Sequence, residues 1–190
     1  MAHSVNDFIA LIHVNPTIVL DIRYAKTTNL TGKIIYPQEG CYLRVSAAYA
    51  LDAVQKELNT LGLGLKVFDG YRPLRYQKLF WAIMPDERYV AHPDKGSKHN
   101  RGAAVDLTLI RLSDSKELEM PSEFDDLSER AHRNYTQMSK EAAKNCKLLE
   151  DVMEKHGFTG WPEEWWHFDF RGWEQYPLAD VSFEELEIKK

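Results

Sequence analysis

With 190 residues, of which 44% are hydrophobic and 28% charged, the chain can build one good-sized core and needs no second domain. A net charge of −5 argues against nucleic acid as a partner, and two cysteines, Cys41 and Cys146, are too few for a disulfide framework or a cysteine zinc site. No apolar run reaches the roughly 18 residues of a membrane span and no export signal opens the chain, so a cytosolic protein with no membrane and no obligatory protein partner is expected.

Residues 5–13 have a helical rhythm carried by Phe8, Ile9 and Ile12, with Ser4 or Asn6 as the cap. Residues 17–24 read as a strand (Ile18, Val19, Leu20, Ile22). Residues 25–44, punctuated by Asn29, Gly32, Pro37 and Gly40, form a long irregular segment of the kind that is functional or covers something. A helix over 45–61 follows, with Ala47, Ala50, Leu51, Val54 and Leu58 at helical spacing and Gly62 and Gly64 ending it. Residues 65–69 make a short buried strand. Gly70-Tyr71-Arg72-Pro73 is a turn, and Pro73 suits the first position of a helix over 74–84. The chain is then polar up to a strand over 103–111, which Ser113-Asp114-Ser115 can turn into a hairpin with residues 117–120. Residues 121–137 are charged and irregular, with Phe124-Asp125 as an odd pair. A second strong helix covers 139–156, capped by Ser139, stopped by Gly157, with His156 at its C-terminus. Residues 163–170 read as an aromatic, buried strand, and the tail after Gly172 is polar and acidic. The expectation is a single α+β domain over 1–190.

The chemistry begins at Asp106, a carboxylate inside an apolar strand, which is expensive to bury without a cation, donors or a metal. His99, seven residues earlier at the strand's start, can converge with it on one ion. A third ligand is needed, and His167 offers itself among Trp165, Trp166, Phe168 and Phe170, where an uncharged imidazole held by a metal fits well. Glu164 precedes His167 by three. That odd spacing puts two strand residues on opposite faces, so Glu164 is expected before the strand begins, swung inward by the Pro162 turn. A carboxylate beside such an ion is what metal-assisted hydrolysis requires. Arg72, on a rigid turn, can hold an oxyanion or a substrate carboxylate. Each residue also has a plain structural alternative. His99 can be a loop histidine, Asp106 a strand residue bonded to backbone donors, His167 a core histidine, Glu164 surface charge, and Arg72 an ion-pair partner of Asp69.

Ser97-x-His99-x-x-Gly102-x-Ala104-x-Asp106, followed about sixty residues on by Glu164-x-x-His167, resembles the zinc D,D-peptidase superfamily. More narrowly it resembles the D-alanyl-D-alanine dipeptidases, the family that includes the vancomycin-resistance dipeptidases. Ile22-Arg23-Tyr24-Ala25, Asn29-Leu30-Thr31-Gly32, Asp69-Gly70-Tyr71-Arg72-Pro73 and Phe124-Asp125 carry the same resemblance, in family order, over roughly 18–178. It implies a hedgehog/D,D-peptidase-like fold, a central antiparallel sheet flanked by helices. It implies one zinc ion on His99, Asp106 and His167, with Glu164 as catalytic base and Arg72 steadying the oxyanion. Asp125 would meet the free amine of a small dipeptide, and Tyr24 and Ser97 would line the pocket. The expected activity is hydrolysis of D-alanyl-D-alanine; the alternative is a carboxypeptidase or endopeptidase acting on cell-wall peptides. A module that kept zinc but lost catalysis would be expected to lack Glu164 or Arg72. Two departures from the family stand out: a shorter segment between Met84 and Ser97, and Met120-Pro121-Ser122 where a glycine usually follows the methionine.

Overall fold

The computed structural model describes residues 7–188. In chain order the elements are β1 (Phe8–Ala10), α1 (Leu11–Val14), β2 (Val19–Leu20), β3 (Tyr42–Arg44), α2 (Val45–Asn59), β4 (Leu63–Asp69), α3 (Leu74–Ile83), β5 (Ala104–Arg111), α4 (Lys140–Lys155), β6 (Phe158–Trp161), β7 (Glu164–Phe170) and α5 (Phe183–Glu187). The α+β fold centres on a five-stranded sheet in the order β2-β4-β5-β7-β6, and β1 and β3 form a separate antiparallel pair. Four strands of the large sheet run antiparallel as expected. The edge strand β2 is parallel to β4, because the chain between them makes a long crossover that includes α2.

Alternation along β5 divides the sheet into two faces. Val105, Leu107 and Leu109 join the hydrophobic cluster, against which α2 packs Ala47, Leu51, Val54 and Leu58 and α4 packs Leu149, Val152 and Met153. Asp106 and Thr108 face the other side, where the site lies. The Ser139 hydroxyl caps α4 by accepting the Ala142 N–H at 2.9 Å. No helix among the described residues is long and apolar enough to cross a membrane.

Several expectations are corrected. Residues 8–10 are a strand, because the backbone of β3 offers Phe8–Ala10 a ladder that outweighs a weak local helical pattern; only Leu11–Val14 is helical. The caps assigned to Ser4 and Asn6 lie outside the described residues. The strand over 17–24 shrinks to Val19–Leu20 and ends in a 3-10 turn, Arg23–Ala25. The hairpin partner at 117–120 reduces to one bridge, Ile110 to Glu117, plus the Leu118 N–H bonded to the Leu109 carbonyl at 2.9 Å. The irregular segment over 25–44 ends in the strand β3, and the strand β6 and the helix α5 have no counterpart in the sequence reading.

Candidate active site

Three adjacent strands deliver the central residues as a row. Asp106 on β5 stands directly opposite His167 on β7 and, on its other side, Asp69 on β4. Two irregularities aim this row. Two steps on β4, from Val67 to Asp69, match one on β5, and a single step on β6, from Gly160 to Trp161, spans Phe168 back to Glu164 on β7. Such irregularities re-aim side chains next to sites. The second one corrects the placement of Glu164. It is the first residue of β7, not a residue before it, and the broken alternation lets it share a face with His167, Oε2 to Nδ1 3.7 Å.

His99 arrives on a 3-10 turn, His99–Arg101, closed by Gly102 at φ +69°, a left-handed conformation suited to glycine. The ligating atoms of the three residues come together. His99 Nε2 lies 3.2 Å from His167 Nδ1 and 3.3 Å from Asp106 Oδ1, and the last two are 2.9 Å apart. Zinc bonds of about 2.0–2.1 Å in a tetrahedron require ligand–ligand edges of about 3.3 Å. Two neutral imidazoles and a carboxylate, all buried and at nearly that spacing, therefore fit one zinc ion. The ring nitrogens facing away from the group are fixed too. His99 Nδ1–H donates to the Gly70 carbonyl at 2.8 Å, and His167 Nε2–H donates to Asp169 Oδ1 at 2.8 Å. Each bond sets the tautomer that leaves the inner nitrogen's lone pair free. With protons alone in the site, burial opposes charge on His167, but the hydrogen bonds and charges of Asp106 and Asp169 prevail and push its pKa up to about 10. Asp106 is held far below the usual carboxylate range: burial resists, and the two histidines overcome it. The group attracts positive charge.

These residues line a cleft enclosing about 240 Å³, small beside usual drug-sized pockets. Tyr24, Arg72, Ser97, Asp125 and Glu164 line it too, so the structure brings all the sequence-predicted site residues together. Ser97 Oγ accepts the His99 N–H at 3.2 Å. Asp125 sits at φ +64° and accepts the Tyr24 hydroxyl at 3.1 Å and the Leu30 N–H at 3.1 Å, so the loop over 25–44 helps to position it. Its own loop is tied to β7 by Trp165 Nε1–H donating to Ser122 at 3.0 Å, and Pro121 does not prevent this. Burial pushes Asp125 up to about 7, and with Asp106 and Asp125 nearby it pushes Glu164 up to about 8 despite the opposing charge of His167. Arg72 forms the ion pair with Asp69, 2.7 Å, and also donates to Gln77 at 3.0 Å and to the Tyr36 hydroxyl at 3.2 Å. The sequence reading did not find Tyr36, Gln77, Asp169 or Lys98. Only Asp169 carried a signal: two residues after His167 on a strand, it shares that residue's face.

A buried two-histidine, one-aspartate group with a carboxylate and a guanidinium in one small cleft defines a metallohydrolase site. The chain belongs to the D-ala-D-ala dipeptidase family of peptidases, which matches it over residues 4–184. It is a zinc metallopeptidase. It is similar to the D-alanyl-D-alanine dipeptidase of Escherichia coli K12, 37% identical over 93% of this chain and 91% of that one. It is also similar to the D-alanyl-D-alanine dipeptidase of Enterococcus faecium, 38% identical over 86% and 90%. Among solved structures, the LD-carboxypeptidase LdcB aligns with 92% of this chain and 71% of its own at 19% identity and a TM-score of 0.49.

Proposed function

We propose that this chain hydrolyses D-alanyl-D-alanine to two molecules of D-alanine. The convergence of His99, Asp106 and His167 with Glu164 only 3.7 Å from His167 carries the reading, and relatives of near-equal length bear that activity in their names. His99 Nε2, Asp106 Oδ1 and His167 Nδ1 would hold the zinc, which supplies Lewis acidity toward a carbonyl and toward water. Glu164 takes the proton of the attacking water, a role its position beside His167 and its half-buried carboxyl suit. The same carboxyl can then hand that proton to the departing amine. Arg72 meets the charge developing on the scissile carbonyl oxygen. Of the five N–H groups on a guanidinium, three are engaged with Asp69, Gln77 and Tyr36, and two remain for that oxygen. Asp125 receives the free ammonium, with Tyr24 and Ser97 beside it in the cleft.

A single domain, a cytosolic location and independence from any protein partner belong to the same proposal; cell fractionation and the activity of purified protein test the last two. The decisive experiment incubates zinc-loaded protein with D-alanyl-D-alanine, L-alanyl-L-alanine and a wall pentapeptide and measures free alanine. Alanine is expected from the D,D-dipeptide. Release of one alanine from the pentapeptide at a comparable rate would replace this reading with a carboxypeptidase. Zinc content, about one per chain, should collapse in His167→Ala.

A further inference from the structure

A zwitterionic dipeptide carries a carboxylate as well as an ammonium, and the carboxylate needs a cation once it leaves water. Four lysine and arginine side chains line the cleft among the described residues: Arg72, Arg88, Lys95 and Lys98. Arg72 is anchored on Asp69, Gln77 and Tyr36. Arg88 and Lys95 are surface groups, with side chains 75% and 70% exposed, paired to Asp86 and Glu87. Solvent screens such pairs heavily.

Lys98 is different. Its side chain is 25% exposed, and its ammonium lies 4.4 Å from the centre of the Trp161 ring and 5.4 Å from that of Trp173. Cation–π contact with two indoles fixes a lysine that would otherwise wander. Its anionic neighbour, Asp169 Oδ2, is 3.4 Å away, longer than the roughly 2.7–2.9 Å of a full charge-assisted hydrogen bond. The other oxygen of Asp169 is already taken by His167. An ammonium has three N–H donors, so Lys98 retains capacity for a second anion.

We infer that Lys98 is the receptor for the C-terminal carboxylate of the dipeptide and thereby sets the requirement for a free C-terminus. The inference rests on the dipeptidase reading above. Lys98 immediately precedes His99 and packs against Trp161 at the end of β6, whereas Asp125 is held by Tyr24 and Leu30. The two charged ends of the substrate therefore meet opposite charges carried by different segments of one cleft. A peptide continued beyond its second residue presents an amide to Lys98 in place of the second anion.

The test compares D-alanyl-D-alanine with its C-terminal amide in wild type, Lys98→Met and Lys98→Arg, with zinc content measured in each. Wild type should favour the free acid, and Lys98→Met should shrink that preference by about 10- to 100-fold, mainly through KM. Lys98→Arg should restore part of it, and zinc content should match wild type in all three. The inference is overturned if Lys98→Met keeps the acid-over-amide preference, or if it loses zinc so that both substrates fail together. Wild type that cleaves a different free dipeptide refutes the D-alanyl-D-alanine reading alone, and the same acid–amide comparison on that dipeptide then decides Lys98. Wild type that cleaves no free dipeptide overturns both.

Discussion

Arg72→Lys keeps the positive charge and removes the planar fork, so it separates charge from geometry at one position. The guanidinium holds Asp69, Gln77 and Tyr36 at 2.7, 3.0 and 3.2 Å, and all three partners are buried. A lysine ammonium has three donors on one atom and cannot reach three separated acceptors and still serve a substrate oxygen. Breaking a buried pair in this way typically costs about 3–5 kcal/mol; the retained charge offsets part, so a loss of about 2–4 kcal/mol in stability is expected. Catalysis should suffer separately. Loss of one preorganised donor to a developing oxyanion is worth about 10²–10³ in kcat. The assays are a thermal melt, zinc content, and kcat and KM on D-alanyl-D-alanine. A fall in kcat with KM nearly unchanged is the signature of a contact made in the transition state, whereas a rise in KM alone would assign Arg72 to the substrate carboxylate. Arg72→Lys with a wild-type melt and wild-type kcat would refute both the clasp and the oxyanion role.

Glu164→Gln preserves shape and zinc but removes basicity, so kcat should fall by about 10²–10⁴, which steady-state kinetics with parallel zinc analysis will show. Asp169→Ala deprives His167 of its outer hydrogen bond and should weaken zinc binding by about 10- to 100-fold in a chelator competition; an unchanged affinity would remove Asp169 from the site. Burial raises Asp125 to about 7, so the carboxylate that receives the ammonium is lost as pH falls through that value. KM for D-alanyl-D-alanine should therefore rise below about pH 7 and level off above it. A flat KM from pH 6 to 8 would count against Asp125.

What the sequence disclosed follows from how local each signal is. Asp106 stood out because an ionised group inside Ala103–Ala104–Val105 and Leu107 contradicts its surroundings, and such contradictions are concentrated at sites. Helices α2 and α4 were legible because their apolar residues recur at helical spacing, and in α4 the Ser139 cap agrees with that spacing. Glu164 was placed wrongly because a break in strand register is a property of two strands and leaves no mark in one. The same holds for Phe8–Ala10, whose state is decided by the neighbouring backbone of β3. Gln77 reads as an ordinary polar residue of a helix, and only the folded chain sets it between Arg72 and the Ala91 carbonyl. Helix α5 is a different case. Ser182 and Glu185 form a capping box ahead of buried Leu186, a signal that lies within the acidic tail of the sequence itself.

The row Asp69, Asp106, His167 sets two carboxylates directly across from one another, an unfavourable arrangement unless cations stand beside it. The cation for Asp69 is Arg72, on the turn after β4; the ligand that completes the metal group beside Asp106 is His99, on the turn before β5. Those two turns are laced together. The Arg72 N–H donates to the His99 carbonyl at 3.1 Å, His99 Nδ1–H to the Gly70 carbonyl at 2.8 Å, and the Asn100 amide to the Arg72 carbonyl at 2.8 Å. Asn100 is fully buried, and its side-chain oxygen also accepts the Ser97 N–H at 2.7 Å. Both of these side-chain bonds go to backbone, of the Arg72 turn and of the segment that enters the His99 turn, so Asn100 ties the two turns together. Asn100→Ala should consequently weaken zinc binding and lower kcat together, through the displaced His99 and the displaced Arg72. Each orphaned buried backbone group should also cost about 1–3 kcal/mol of stability. Zinc affinity, the melt and kcat on the zinc-saturated variant can be measured separately. If saturating zinc restores full kcat, the Arg72 turn does not depend on Asn100, and the coupling argued from the lacing is wrong.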